Sequence, residues 1–405
     1  EGDFSSSNNA TKLSFKTAAS EAAAEKMSLS SEGVLITSGD IIAASGSVRN
    51  RLNAKPLIIN GDMAVAQRGT SVVATDGTNE PYGVIDRLRL NFNSGIGGGV
   101  TCSQDTDAPS GFKTSAKFQC QATHTSFSSN DFLAIEQWIE AQDLQLLKFG
   151  TSDAETITIA FWMKVVNYSD PLTLALHTPD GTSHYWVEAF TPTTSWVKYI
   201  FNVAASTSAT INNDNGNGFR LKIVLAGQGG AQESGSDSTA WEGSGNRYDI
   251  RSTNGNFLAS TSNIVYLTGL QMEVGTYTSA TIPRFQHESF GDNHRRCQRY
   301  FETTFTVGQV PGTSTDASSS RLNTSWGDGN VPLPGGGMFK VEKRAAPTMV
   351  LFARSGTTAG QLQSYGTARS AVATDVGTGG VAYCTVTSGT ANAYSGGCWT
   401  ADAEL

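Results

Sequence analysis

The stretch Gly150–Val166, GTSDAETITIAFWMKVV, decides the fold. Ile157, Ile159, Phe161, Met163 and Val165 fall on one side of an extended chain; Thr158, Ala160, Trp162 and Lys164 fall on the other. That period of two is what a half-buried antiparallel strand needs. The signature recurs from Pro56 to about Gly291. Leu88, Leu90 and Phe92 alternate with Arg87 and Arg89, and Phe118 and Cys120 with Lys117, Gln119 and Gln121. Leu172/Leu174/Leu176, Val197/Tyr199/Phe201/Val203, Phe219/Leu221/Ile223/Leu225 and Tyr266/Thr268/Leu270/Met272/Val274 each read as one strand face. Gly, Asn, Asp and Ser clusters separate them. Many short strands with such punctuation predict an all-β sandwich or jelly roll.

The bulk composition agrees. The chain has 405 residues, 43 glycines and only 16% charged residues. Its formal net charge of −8 disfavours nucleic acid as a partner, because phosphate binding needs a basic face. No run of 18 apolar residues occurs, so no helix is expected to insert in a membrane. The chain opens on Glu1 and is read as having a trimmed start.

Working outward, residues 1–54 differ from the rest. They are rich in Ser, Ala and Gly and nearly free of aromatics. LSFKT, EKMSLSS and GVLITSG read as short strands, with a helix over AASEAAAEKM as the competing reading. With so few large apolar residues the segment cannot bury a core alone, so it must pack on copies of itself or on a partner. The longest irregular stretch is 227–263. DNHRRCQRYFETT (292–304) reads as a connector of one or two helical turns. MFKVEKRAAPTMVLF, GGVAYCTVTS and CWTADAEL then read as strands of a second, smaller β domain. The expected organisation is 1–54 as stalk or attachment segment, 55–291 as jelly roll, and 292–405 as a small β tip domain.

Metal and catalytic signals are weak. The five cysteines (Cys102, Cys120, Cys297, Cys384, Cys398) contain no CxxC and have no histidine at ligand spacing. They read as mostly free, buried thiols, with a Cys384–Cys398 pair as the open alternative. NNDNGNG at 212–218 lacks the terminal Glu of a calcium loop and reads as a hairpin turn. GxSxG, HExxH and P-loop motifs are absent, and His124, His177, His184, His287 and His294 are scattered. A depolymerase would need two carboxylates across a cleft. Asp143, Glu188 and Glu273 fall in or beside predicted strands with nothing to pair them. No catalysis, metal or cofactor is therefore expected.

Glycan binding needs flat aromatics for stacking, with amides and carboxylates for the hydroxyls. Trp162 and Trp186 are expected on strand faces opposite the apolar ones. Trp241 and Tyr248 lie in the long loop near Asn246, Arg247 and Asp249. Trp326 lies in the polar loop NTSWGDGN. Trp241, Asn246, Tyr248 and Trp326 are the candidate ligand-binding residues. The competing reading packs each tryptophan, Trp162 and Trp196 above all, under a loop or into a subunit interface.

Several stretches, in this order, resemble a group of phage and prophage tail-fibre or receptor-binding proteins. They are LIINGDMAVAQRGTS (57–71), YGVIDRLRL (82–90), QWIEAQDLQLLKFGTSDAETITIAFWMK (137–164), SWVKYIFNV (195–203), YLTGLQMEVG (266–275), HRRCQRYFE (294–302) and the closing ADAEL. LSFKTAASEAAAEKMSLSSEGVLI is similar to the segment that many tail fibres carry ahead of this module. The resemblance implies a jelly roll similar to carbohydrate-binding modules, a tip domain, a homotrimer and a place on the virion. It also implies other virion proteins as partners of the N-terminal segment and a host surface glycan as ligand. The expected function is a virion fibre that recognises a host glycan or other receptor. A purely structural fibre or capsid-decoration protein is the alternative, and a glycan depolymerase the third reading. One departure concerns calcium. Related modules place a Glu ligand where this chain has Ala64, in Asn60-Gly61-Asp62-Met63-Ala64, so a calcium there is not expected.

Overall fold

In the computed structural model the chain divides into two compact units, Glu1–Lys55 and Pro56–Leu405. The described residues are 13–18, 22–31, 35–37, 41–43, 46–48, 55–75, 82–92, 96–128, 131–181, 183–227, 233–234, 240–243, 249–312, 321–324, 330–331, 337–353, 358–364, 367–386 and 394–405.

The first unit holds a three-stranded antiparallel sheet of Leu13–Thr17, Ala24–Leu29 and Leu35–Thr37. Cross-strand pairing (Phe15 opposite Met27, Ser28 opposite Ile36) overrides the helix propensity of the alanine run. Leu13, Phe15, Leu29, Leu35 and Ile36 are all exposed, and Ser28 is the one buried residue among those described there.

In the second unit the alternation builds two facing sheets. The strands are β1 (Ser71–Thr75), β2 (Arg89–Phe92), β3 (Gly99–Asp105), β4 (Ser115–Ala122), β5 (Phe132–Glu140), β6 (Ile157–Val166), β7 (Leu172–Thr178), β8 (His184–Phe190), β9 (Val197–Val203), β10 (Asn217–Gly227) and β11 (Ile264–Val274). The first sheet runs β8-β7-β10-β5-β2, with the short Glu242–Gly243 strand outside β8. The second runs β9-β6-β11-β4-β3-β1. Every described pairing within them is antiparallel. Ile157, Ile159, Phe161, Met163 and Val165 enter one core with Leu172, Leu174, Leu176, Phe219, Leu221 and Ile223 from the opposite sheet. Thr158 does point away from that core. It is still fully buried, because its hydroxyl meets the Gly275 carbonyl and the Asn202 side chain, each at 2.7 Å.

Three details differ from the sequence expectation. On β11 the expected single face breaks at Gly269. Ala160 pairs with Gln271 but Trp162 pairs with Thr268, so β11 carries one extra residue there. Gly269 takes φ of 64°, which glycine adopts without strain. Val265 and Leu267 therefore share the core with Leu270 and Met272, while Tyr266 and Thr268 face outward. Trp186 is the second case. It lies opposite the core residue Leu176, which turns it inward, fully buried, rather than outward. The third is NNDNGNG. It does not close a hairpin, because β9 and β10 belong to different sheets. It crosses between them and packs on the helical turn Ala141–Leu147, whose Ala141 and Gln142 amides donate to the Gly216 and Asp214 carbonyls.

Beyond the sandwich, helix α1 (Phe290–Gln298) is capped by the Ser289 hydroxyl, which accepts from the Asp292 amide. The strand Tyr394–Asp402 then organises the C-terminal sheet, pairing with Phe301–Thr303, Arg321–Thr324 and Thr348–Ala353. A separate core there contains Phe339, Leu351, Leu362, Cys384 and Trp399. All five cysteines are free and buried; Cys398 packs with Phe305 and Phe352, away from the cluster around Cys384.

Residues from five of the stretches quoted above, 57–71, 82–90, 137–164, 294–302 and the closing ADAEL, converge on one junction. The Asn60 amide donates to the Val65 and Asp86 carbonyls, each at 2.9 Å. Gln67 donates to the Phe301 carbonyl at 2.8 Å and bonds Asp86. Arg87 pairs with Glu404 and lies 3.5 Å from the centre of the Tyr300 ring. Arg299 grips both oxygens of Glu140 at 2.7 Å. Lys343, also buried, joins Glu302 at 2.6 Å. Together these contacts join the C-terminal sheet to the sandwich.

Candidate binding face

Among the residues expected at a ligand site, the structure describes Trp241. Its ring packs edge-on against Phe149 and Phe219, and its indole N–H donates to the Ala204 carbonyl at 2.8 Å. Asn246, Tyr248 and Trp326 lie outside the described residues.

The outward face of the first sheet carries an aromatic residue hemmed in by charge. Trp138 stands on β5, and the Arg89 and Arg220 guanidinium carbons each lie 4.1 Å from its ring centre. These arginines come from β2 and β10, which flank β5 on opposite sides, so both ring faces are occupied. The indole N–H donates to Glu136 at 2.7 Å. The Glu136 carboxylate also accepts from Asn91 at 2.9 Å and has Lys222 at 3.4 Å. Burial pushes the Glu136 pKa up, but the Lys222 and Arg89 charges and these hydrogen bonds outweigh it and hold it low. Lys222 in turn meets Asp249 at 2.7 Å, and all three charged groups are buried. A sugar ring could not stack on Trp138 without displacing an arginine.

The outward face of the second sheet is different. Strict alternation puts Trp162 and Lys164 of β6 on that face. The extra residue at Gly269 brings Tyr266 and Thr268 opposite them, and Lys117 of β4 lies across from Tyr266. Trp196, one residue ahead of β9, leans edge-on to Tyr266 with ring centres 6.1 Å apart. The Lys164 ammonium lies 4.7 Å from the Tyr266 ring centre and 5.5 Å from that of Trp196. The β3–β4 connection contributes Asp107. One of its oxygens accepts from the Trp196 indole N–H at 3.0 Å, and the other pairs with Lys164. Those two hydrogen bonds, from Lys164 and from Trp196, hold the Asp107 carboxyl below the usual carboxylate range.

A second aromatic group continues the face. A side chain at Gly269 would come within 2.7 Å of Phe112 and 2.9 Å of Trp162, so glycine is what lets these rings close over the strand. Phe112 meets Phe285 and His287 at 5.0 and 5.1 Å between ring centres. Trp162 and Trp196 are half-buried, whereas Tyr266 beside them is buried. Rings open to solvent beside carboxylates, ammonium groups and amides are what sugar stacking requires. Sequence reasoning placed Trp162 correctly but missed Tyr266, because it carried one phase through β11. The isolated glycine inside that strand was the available signal.

The carboxylates considered for hydrolysis stand on separate elements. Asp143 is in the Ala141–Leu147 turn, Glu188 on β8 of the first sheet, and Glu273 on β11 of the second. Burial and the neighbouring Glu140 charge raise the Asp143 pKa.

This arrangement defines an all-β sandwich protein with an aromatic, polar-framed sheet face. No protein-family model matches the chain, and no curated protein matches it. Solved structures do show similarity. The enzymatically active domain of tailspike protein 4 from bacteriophage CBA120 is 11% identical, with a TM-score of 0.27 over 54% of this chain and 21% of that one. A family 4 carbohydrate-binding module is 14% identical, with a TM-score of 0.27 over 53% of this chain and 97% of that one. The family 11 carbohydrate-binding module of Clostridium thermocellum, solved with a β-1,3-1,4-mixed-linked tetrasaccharide, is 10% identical, with a TM-score of 0.26 over 54% and 99%. This chain thus spans about a fifth of the tailspike domain's length. Likeness at this level says nothing of what the chain binds.

Proposed function

We propose that the protein binds a glycan on the outward face of the second sheet, with Trp162 and Trp196 as stacking groups and the buried Tyr266 supporting them from below. The single observation that carries this reading is the pair of half-buried tryptophans on a sheet face framed by Asp107, Lys164 and Lys117. The ordered motifs from 57 to 405 support a wider role, a virion fibre that attaches to a host cell through this glycan. The exposed Leu13, Phe15, Leu35 and Ile36 of the first unit support assembly into a homotrimer, since a sheet this small needs a covered apolar face. Binding is the activity proposed; hydrolysis is not. The test is adsorption to host cells and to a glycan array by the full chain and by Trp162→Ala/Trp196→Ala. The variant should lose binding while keeping its Tm. Normal adsorption by a folded variant would remove this face from consideration.

A purely structural fibre remains the second reading, favoured by the same exposed strands of the first unit. It predicts a stable homotrimer by light scattering with no glycan bound by either protein.

A further inference from the structure

The charges on this face are matched pair by pair. Lys117 meets Asp105 at 3.6 Å, one strand over, and Lys164 meets Asp107. Lys198 of β9 lies opposite Trp162, and the nearby Glu273 of β11 acts on its charge. Each strand-borne lysine of the face thus has an acidic counterpart on the same face. The two ammonium groups nearest the rings, Lys164 and Lys117, both sit over Tyr266, and both carry their carboxylates with them. A sugar acid or phosphate lowered onto Trp196 and the lysines that cover Tyr266 would meet Asp105 and Asp107 as well. Like charge this close costs binding, whereas hydroxyl groups accept from ammonium and donate to carboxylate equally well.

We infer that the ligand of this face is an uncharged oligosaccharide, and that Asp105 and Asp107 exclude anionic glycans. The inference rests on the proposed glycan-binding reading and names its ligand class. It makes binding nearly independent of salt, because no net ion pair forms with the ligand.

Native affinity electrophoresis of the full chain tests this. The gels would contain neutral polymers (mixed-linkage β-glucan, galactomannan, dextran) or anionic ones (polygalacturonate, hyaluronate), at about 0.05 M and about 0.5 M salt. At least one neutral polymer should retard the wild type to within about twofold at both salts, and Trp196→Ala should abolish the retardation. Asp105→Asn/Asp107→Asn should gain several-fold retardation by an anionic polymer, suppressed at high salt. This variant keeps a side-chain oxygen for the Trp196 N–H, so it preserves the face. Trp196-dependent, salt-sensitive retardation of the wild type by an anionic polymer would overturn the inference while leaving the glycan reading intact. Absence of any gain in the double variant would also overturn it. Failure of every polymer to retard the wild type would overturn both.

Discussion

Asp107 accepts the Trp196 indole N–H at 3.0 Å while its second oxygen holds Lys164. One carboxylate from a connecting segment thereby fixes a ring from one strand end and a cation from another. The Trp196 contact needs only an acceptor oxygen, whereas the hold on Lys164 needs that group ionised.

Asp107 therefore sets an acid limit on the face. Its folded pKa is depressed, so its contribution is present above the ordinary carboxylate range and is lost as pH falls through the lower folded value. Tryptophan fluorescence, read as the difference between wild type and Trp196→Phe, should stay constant at neutral pH and change only in that acid range. A transition centred at or above the ordinary aspartate value would contradict the bond pattern.

Phe161 is fully buried between the sheets, where it stacks on Phe201, meets Phe190 edge-on and lies tilted against Tyr199. Phe161→Ala should cost about 3–5 kcal/mol in denaturant unfolding. A near-neutral result would mean that β6 faces the other way.

Gly269→Ala combines a left-handed backbone with a clash against Phe112 and Trp162. It should cost about 1–3 kcal/mol and weaken glycan binding as the rings are pushed apart. Unchanged Tm together with unchanged binding would dismiss the extra residue as a determinant of the face.

Arg299 supports the junction through Glu140. Burial raises the Glu140 pKa, but the Arg299 hydrogen bonds and charge outweigh it and leave the folded value depressed. Arg299→Ala should cost about 2–3 kcal/mol near neutral pH, less than a fully buried pair because the arginine is partly exposed. The gap to wild type should be full above the ordinary glutamate value and shrink as pH falls through the folded one. A gap that stays constant into acid would show that the arginine acts by packing alone.

Chelation should leave Tm unchanged. Ala64 offers no side-chain oxygen, and the Asn60 side-chain oxygen already accepts from the Val65 amide at 2.9 Å. A fall of several degrees with EDTA would reveal a site built from other groups.

Much of the fold was legible because side-chain alternation is enforced by water. In β6 and β10 one face is apolar and the other is not, so both strands could be phased by inspection. β11 could not, since Tyr266 and Leu267 are both bulky and the phase changes at a glycine. β8 failed for the same reason: Tyr185, Trp186 and Val187 are all apolar enough for either side, and only pairing with β7 settles them. The junction was visible as motif but not as function. Arg87, Glu140, Arg299 and Glu404 are far apart in sequence, and no local pattern says that they meet. The candidate face was hidden in a related way. Asp107 and Trp196 lie in turns, where periodicity carries no information, and their bond exists only once the sheet has formed.

The most direct test of the central claim is hydroxyl-radical footprinting of the full chain with and without a saturating oligosaccharide found on the array. Protection should appear at Trp162 and Trp196, with Trp138 and Trp241 unchanged. Protection confined to Trp138 or Trp241, with Trp162 and Trp196 reacting as in the free protein, would contradict the claim.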